Sequence, residues 1–173
     1  MIFGHLPAGY ITSKLLLKKF KNSSVNANVF IFWGMFGAIA PDSDLFYYLL
    51  RDPSQPQHHH HKYVTHFPIF WLTLLLISLL WLLLYHRRSQ KAALSFIFTL
   101  NGFIHIVLDT ITSHILWLAP FMDKPFSLIT NSSKGVSYFT HWTFALEIFL
   151  IFFALFLWLA SSIKKTKQKN SIT

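Results

Sequence analysis

The sequence predicts an all-α integral membrane bundle of four to five apolar helices. Three observations carry that reading. Hydrophobic residues make up 53% of the 173-residue chain and charged residues only 12%, about half the ~25% charge of ordinary soluble domains. Nineteen Phe and six Trp suit a surface solvated by lipid. The basic residues fall in short clusters beside apolar runs: Lys14, Lys18, Lys19 and Lys21; Arg87, Arg88 and Lys91; Lys164, Lys165, Lys167 and Lys169. Flanking clusters of this kind mark loops kept on the cytoplasmic side of a membrane. The net charge of +9 is therefore read as topology, and no nucleic-acid partner is expected.

The apolar elements follow in order. Residues 1–17 contain Pro7 and Gly9, and residues 29–40 are short and Gly-rich. Both read as short or tilted spans, or as helices packed against the others. Residues 69–85 (IFWLTLLLISLLWLLLY) have no polar face to show water, which argues against a soluble bundle. Residues 92–121 are apolar but interrupted by Asn101, His105, Asp109 and His114. Residues 142–163 are long enough to span, since about 20 residues cross the hydrocarbon core. Helix starts are legible where Thr65 precedes His66 and Phe67, with Pro68 in the first turn, and where Thr140 precedes His141 and Trp142. One domain over 1–163 and a basic cytoplasmic tail over 164–173 result. Placing every basic cluster inside leaves the N-terminus and the loops 41–65 and 122–140 outside, in a multi-pass arrangement in a bacterial-type inner membrane. The N-terminus lacks a basic start, so no cleavable signal peptide is expected.

The chain has no Cys, which removes disulfides and thiolate ligands. Any transition-metal site must use His and carboxylate. Half of the six acidic residues lie in or beside apolar sequence: Asp42 and Asp44 in APDSD, and Asp109 in NGFIHIVLDTITSH. An Asp at the centre of a membrane helix costs about 2.5–3.5 kcal/mol, so it needs a compensating partner. His105 and Asp109, spaced i, i+4, share a helix face. That suits two ligands of one metal or a His held by a carboxylate; it equally suits a buried hydrogen bond that locks two helices. His61 and His66 converge only if His61 lies in a loop and His66 opens the helix. His58, His59 and His60 read as a solvated loop.

Under the predicted topology His5, Asp42, Asp44, His61, His66, His105, Asp109 and His141 all fall near the outer end of the bundle. Thr65 is a supporting residue. Glu147, about two turns into the last helix, is a supporting group or proton shuttle, or pairs with a buried polar partner. Carboxylates mixed with imidazoles suit Zn²⁺, Mn²⁺ or Fe²⁺. Eight candidates exceed the needs of one tetrahedral ion, so one or two ions are expected. A bound metal brings the pKa of its water towards about 7 and supplies hydroxide, with Asp42 or Asp44 as bridge or base. The alternative is a metal-binding or transport protein, with the ion as cargo and no hydrolytic turnover. A third is a scaffold with a structural ion.

GHLPAGY, APDSD, HKYVTH at 61–66, GFIHIVLDTITSH and a late His141 together resemble the YdjM-like family of inner-membrane metal-dependent hydrolases, also labelled LexA-binding. Asp42 and Asp44 match its P-D-x-D; His61, Thr65 and His66 match H-R-x-x-T-H-S; His105, Asp109 and Thr112 match H-x-x-x-D-x-x-T. Lys62 replaces the Arg, Phe67 the Ser, and His114 a small residue. The family is remotely similar to zinc-dependent phospholipase C. The resemblance implies phosphoester hydrolysis, with membrane lipid as partner and a lipid or other phosphoester as substrate.

Overall fold

The computed structural model describes residues 3–20, 25–50, 60–85, 89–128 and 141–170. Among them the fold is all-helical: α1 (His5–Leu17), α2 (Ala27–Ile39), the short α3 (Ser43–Leu50), α4 (Pro68–Leu84), α5 (Gln90–Thr112) and α6 (Trp142–Asn170). His58, His59, Arg87, Arg88 and Thr140 lie outside the described residues.

Local chemistry sets the helix ends. The Asn26 side chain accepts from the backbone N–H groups of Asn28 and Val29 and so caps α2. Ser89 caps α5 by accepting from Ala92 N–H. Pro68 occupies the first turn of α4, where its missing donor costs nothing. Thr65 does not cap that helix. It lies in the 3-10 turn Val64–His66, because its hydroxyl donates to Asp44 instead.

The apolar segment over 92–121 is also shorter as a helix than its composition predicts. α5 stops at Thr112, and Ser113 is extended, with φ −139° and ψ 164°. The chain then folds back through a bridge between Ile115 and Phe126, and Leu128 N–H donates to the Thr110 carbonyl at 2.9 Å. Ile115 and Ala119 are buried, so this stretch is apolar because it packs inside the protein. At the other extreme, α6 continues to Asn170. Lysine is a good helix former, and the basic stretch prolongs the helix beyond residue 163.

α5 is the central helix, packed between α2 and α4; α1 packs on α2 and carries α6 on its other side. The α2–α5 crossing is a backbone-to-backbone approach. A Cβ on Gly37 would overlap the carbonyl of Phe98, and small residues permit such proximity between membrane helices. This contact brings the neighbouring Ala38 carbonyl against α5. The outward faces of α4 and α6 are apolar. Leu76, Ile77, Leu80 and Leu83 on α4, and Phe149, Phe152, Phe156 and Trp158 on α6, are all more than half exposed. α5 and residues 142–164 of α6 are long and apolar enough to cross a membrane, and α4 is a shorter apolar helix. So large an apolar exterior is one that lipid, not water, solvates.

One polar contact joins α4 to α5. Ser78 Oγ and Thr99 Oγ1 lie 2.7 Å apart and are buried. Interhelical hydrogen bonds in bilayers average about 0.6 kcal/mol and reach about 1.7. A double-mutant cycle of Ser78→Ala and Thr99→Val should return a coupling in that range. Each hydroxyl also bonds a carbonyl of its own helix, so a coupling of zero would assign both hydroxyls to local bonding alone.

Candidate metal centre

The site forms where the starts of α1, α3 and α4 meet the ends of α2 and α5. Asp42 and Asp44 come from the turn after α2 and the first turn of α3. His66 comes from the 3-10 turn before α4. His105 and Asp109 lie one turn apart on α5, on the face that also carries buried Asn101.

Four side chains converge. Ligand atoms of Asp42, His66, His105 and Asp109 all lie within 4.8 Å of one another, a group able to hold a metal ion. Asp42 Oδ1 is 3.5 Å from both His66 Nε2 and His105 Nε2. Asp109 Oδ2 is 3.1 Å from His105 Nε2 and 3.8 Å from His66 Nε2. Their supports lie on the opposite sides of the rings. His105 Nδ1–H donates to the Ala38 carbonyl at 2.7 Å, which turns Nε2 towards the carboxylates. His66 Nδ1 lies 2.6 Å from Asp44 Oδ2, and the same oxygen accepts from Thr65. An imidazole aimed by a carbonyl or carboxylate on its far nitrogen is the usual arrangement behind a metal ligand.

The donor set fits a divalent cation on electrostatic grounds. Two carboxylates and two imidazole nitrogens crowd one point that is closed to water on most sides. His105 Nε2 is buried and makes no hydrogen bond there, although buried polar atoms normally find a partner. Positive charge at the centre, as protons on the rings or as a metal ion, is what such a cluster requires. Asp42 lies in the turn outside α2. Burial raises its pKa, but the His105 and His66 imidazoles outweigh that effect and hold the carboxyl well below its usual range. His66, just outside α4, shows the reciprocal balance: burial favours its neutral form, yet Asp42 and Asp44 outweigh burial and raise its pKa.

The other sequence candidates take different places. His5 stacks on His105, ring centroids 3.7 Å apart, and its Nε2 is 3.1 Å from Asp109 Oδ1. His61 Nε2 is 3.7 Å from Asp109 Oδ2. Both therefore flank the Asp109 carboxylate. Asp44 stands behind His66, outside the four converging donors, with its carboxylate on His66 Nδ1 and the Thr65 hydroxyl. His141 Nδ1 accepts from Thr143 N–H at 3.4 Å and lies 2.8 Å from the Thr143 hydroxyl; it is engaged with the first turn of α6. Glu147 is fully buried and accepts from Phe3 N–H at 2.6 Å. It thereby ties α6 to the segment that delivers His5.

Two contributors went unread in the sequence. The Ala38 carbonyl has no side-chain signal, and only the Gly37 contact puts it beside His105. Lys62, noted there only as a departure from the family pattern, lines a cavity of about 500 Å³ together with His61, Thr112, Ser113, Asp123 and His114, the last of which the sequence offers as a possible member of the site. His61 is thus shared between the cavity wall and the Asp109 side of the centre.

A family model described as YdjM inner membrane protein matches residues 1–168. No curated protein and no solved structure matches the chain significantly.

Proposed function

The chain belongs to the YdjM inner membrane protein family, and from that premise we infer that it is a metal-dependent hydrolase acting on a phosphoester, with membrane phospholipid the substrate nearest to hand. The observation that carries this reading is the convergence of Asp42, His66, His105 and Asp109 beside an open cavity. Those four residues would hold the ion, and their mixed carboxylate and imidazole character suits Zn²⁺, with Mn²⁺ or Fe²⁺ also accommodated. When bound, such an ion polarises a phosphoryl oxygen and lowers the pKa of water.

The protein's own residues would supply the rest. Asp42 is the partly exposed member of the four, its side chain 36% accessible. Asp44 and the Ala38 carbonyl keep the two rings aimed. Lys62 and His114 put nitrogen donors on the cavity wall, where an anionic phosphoester would lie. All four ligand candidates sit at one end of the bundle, which favours a resident ion over one in transit.

Orientation follows from charge. Of the described lysines, Lys62 lies at the metal-centre end, whereas Lys14, Lys18, Lys19, Lys91 and Lys164 belong to the opposite ends of α1, α5 and α6. The positive-inside rule places that end in the cytoplasm and the metal centre at the extracytoplasmic face of a multi-pass bundle, next to lipid headgroups.

The test is turnover. Detergent-purified protein loaded with Zn²⁺ or Mn²⁺ should hydrolyse a chromogenic phosphodiester or a phospholipid panel, and both chelation and His105→Ala should abolish the activity. Metal-loaded protein that turns over none of these substrates would refute the hydrolase reading while leaving the metal centre itself intact.

A further inference from the structure

At the end of the bundle away from the metal centre, the end of α1, the start of α2 and residues 157–164 of α6 enclose a groove of about 510 Å³. Its walls are apolar, with Leu17, Val25 and Leu157 among them, and its edge carries Lys14, Lys18 and Lys164. The three lysines come from two separate parts of the chain. Lys14 and Lys18 stand one turn apart where α1 passes into a 3-10 turn, and Lys164 arrives from α6. Elsewhere α6 presents Phe and Trp outwards. At this groove it presents Ala160 and Ser161, whose small side chains leave the space open. The Ser161 hydroxyl donates back to the Leu157 carbonyl at 2.6 Å, so the ammonium groups dominate the polar character of the groove.

An apolar slot with three cationic groups at its edge is complementary to one kind of molecule: an anion carrying a hydrocarbon tail. The chain's place among inner membrane proteins puts such molecules in contact with it. Basic pockets between membrane helices on the cytoplasmic side bind lipid headgroups, and each nearby Lys adds attraction to an anionic surface. We propose that this groove is a binding site for an anionic phospholipid, its phosphate held by Lys14, Lys18 and Lys164 and an acyl chain lying along Leu17, Val25 and Leu157. The site is separate from the metal centre. Along α1 the two sites are nine residues apart, from His5 to Lys14, or about 14 Å, and the proposal does not depend on metal binding or turnover.

Native mass spectrometry of the full chain, released from vesicles of equal phosphatidylglycerol and phosphatidylcholine, tests it. The wild-type protein should retain phosphatidylglycerol over phosphatidylcholine by about fivefold or more, in keeping with the charge contribution per lysine. The triple variant Lys14→Gln, Lys18→Gln, Lys164→Gln should fall to near parity. Ala160→Trp, which fills the groove and keeps every charge, should lower retention of phosphatidylglycerol as well. Helical circular dichroism and a monodisperse elution profile establish that each variant folds. Parity in the wild type, or a wild-type preference in the folded triple variant, overturns the proposal. If the triple variant does not fold, Lys18→Gln and Ala160→Trp decide, and wild-type retention in both overturns it.

Discussion

Asp109→Asn is expected to lower the affinity for divalent metal by more than about 100-fold. The Asp109 carboxylate is the hub of the centre: His5, His61, His66 and His105 all place Nε2 within 3.8 Å of one of its oxygens. Residues that merely support metal ligands cost about 10–100-fold when removed, and Asp109 is itself one of the four converging donors. The amide that replaces it keeps the shape, loses the charge and turns N–H donors towards imidazoles. Metal content after equilibration with Zn²⁺ or Mn²⁺, measured by elemental mass spectrometry, reads the loss. Helical circular dichroism should change little, because the substitution conserves volume. Wild-type metal content in folded Asp109→Asn would dismiss the four-donor centre.

Asp44 yields the second large effect, and one with a different signature. Its carboxylate touches His66 Nδ1 and the Thr65 hydroxyl and stands behind the ring. Asp44→Ala removes the group that aims His66, and about 10–100-fold of metal affinity should go with it, equivalent to about 1.4–2.8 kcal/mol. Asp44→Asn should cost distinctly less, because its amide oxygen can still accept the Nδ1 proton. A direct ligand predicts another pattern: Asn and Ala would be equally severe, and both would match Asp109→Asn. Titrating the three variants with Zn²⁺ in parallel separates the two roles.

Much of the centre was legible before any tertiary information. Asp109 in an apolar helix is expensive, and the i, i+4 spacing to His105 offered the partner that offsets the cost. The same stripe reaches back to Asn101, another polar interruption of the apolar run, whose Nδ2–H donates to the Ile97 carbonyl. The relation between His61 and His66 was less accessible. A five-residue separation matches no helical face, and two successive 3-10 turns, His60–Lys62 and Val64–His66, decide how the rings meet. Thr65 illustrates a competition that local rules do not resolve. As a cap it would serve one N–H of α4; as a donor to a buried carboxylate it helps hold Asp44, and the charge-assisted bond is the stronger of the two.

What the chain determined by itself was its class and its inventory. Scarce charge, uninterrupted apolar runs and clustered lysines dictate membrane helices, because a backbone without water must bond internally and a charge in hydrocarbon must find a partner. Those are local or compositional costs, and they can be read residue by residue. The division of labour among the eight candidates was decided only by tertiary structure. Asp42 and Asp44 are two residues apart, yet one faces both imidazoles and the other stands behind a single ring. His105 is aimed by a carbonyl 67 positions away, brought there by the close approach of α2 to α5 at Gly37. Such assignments depend on how helices distant in sequence cross, and nothing in residue spacing encodes that crossing.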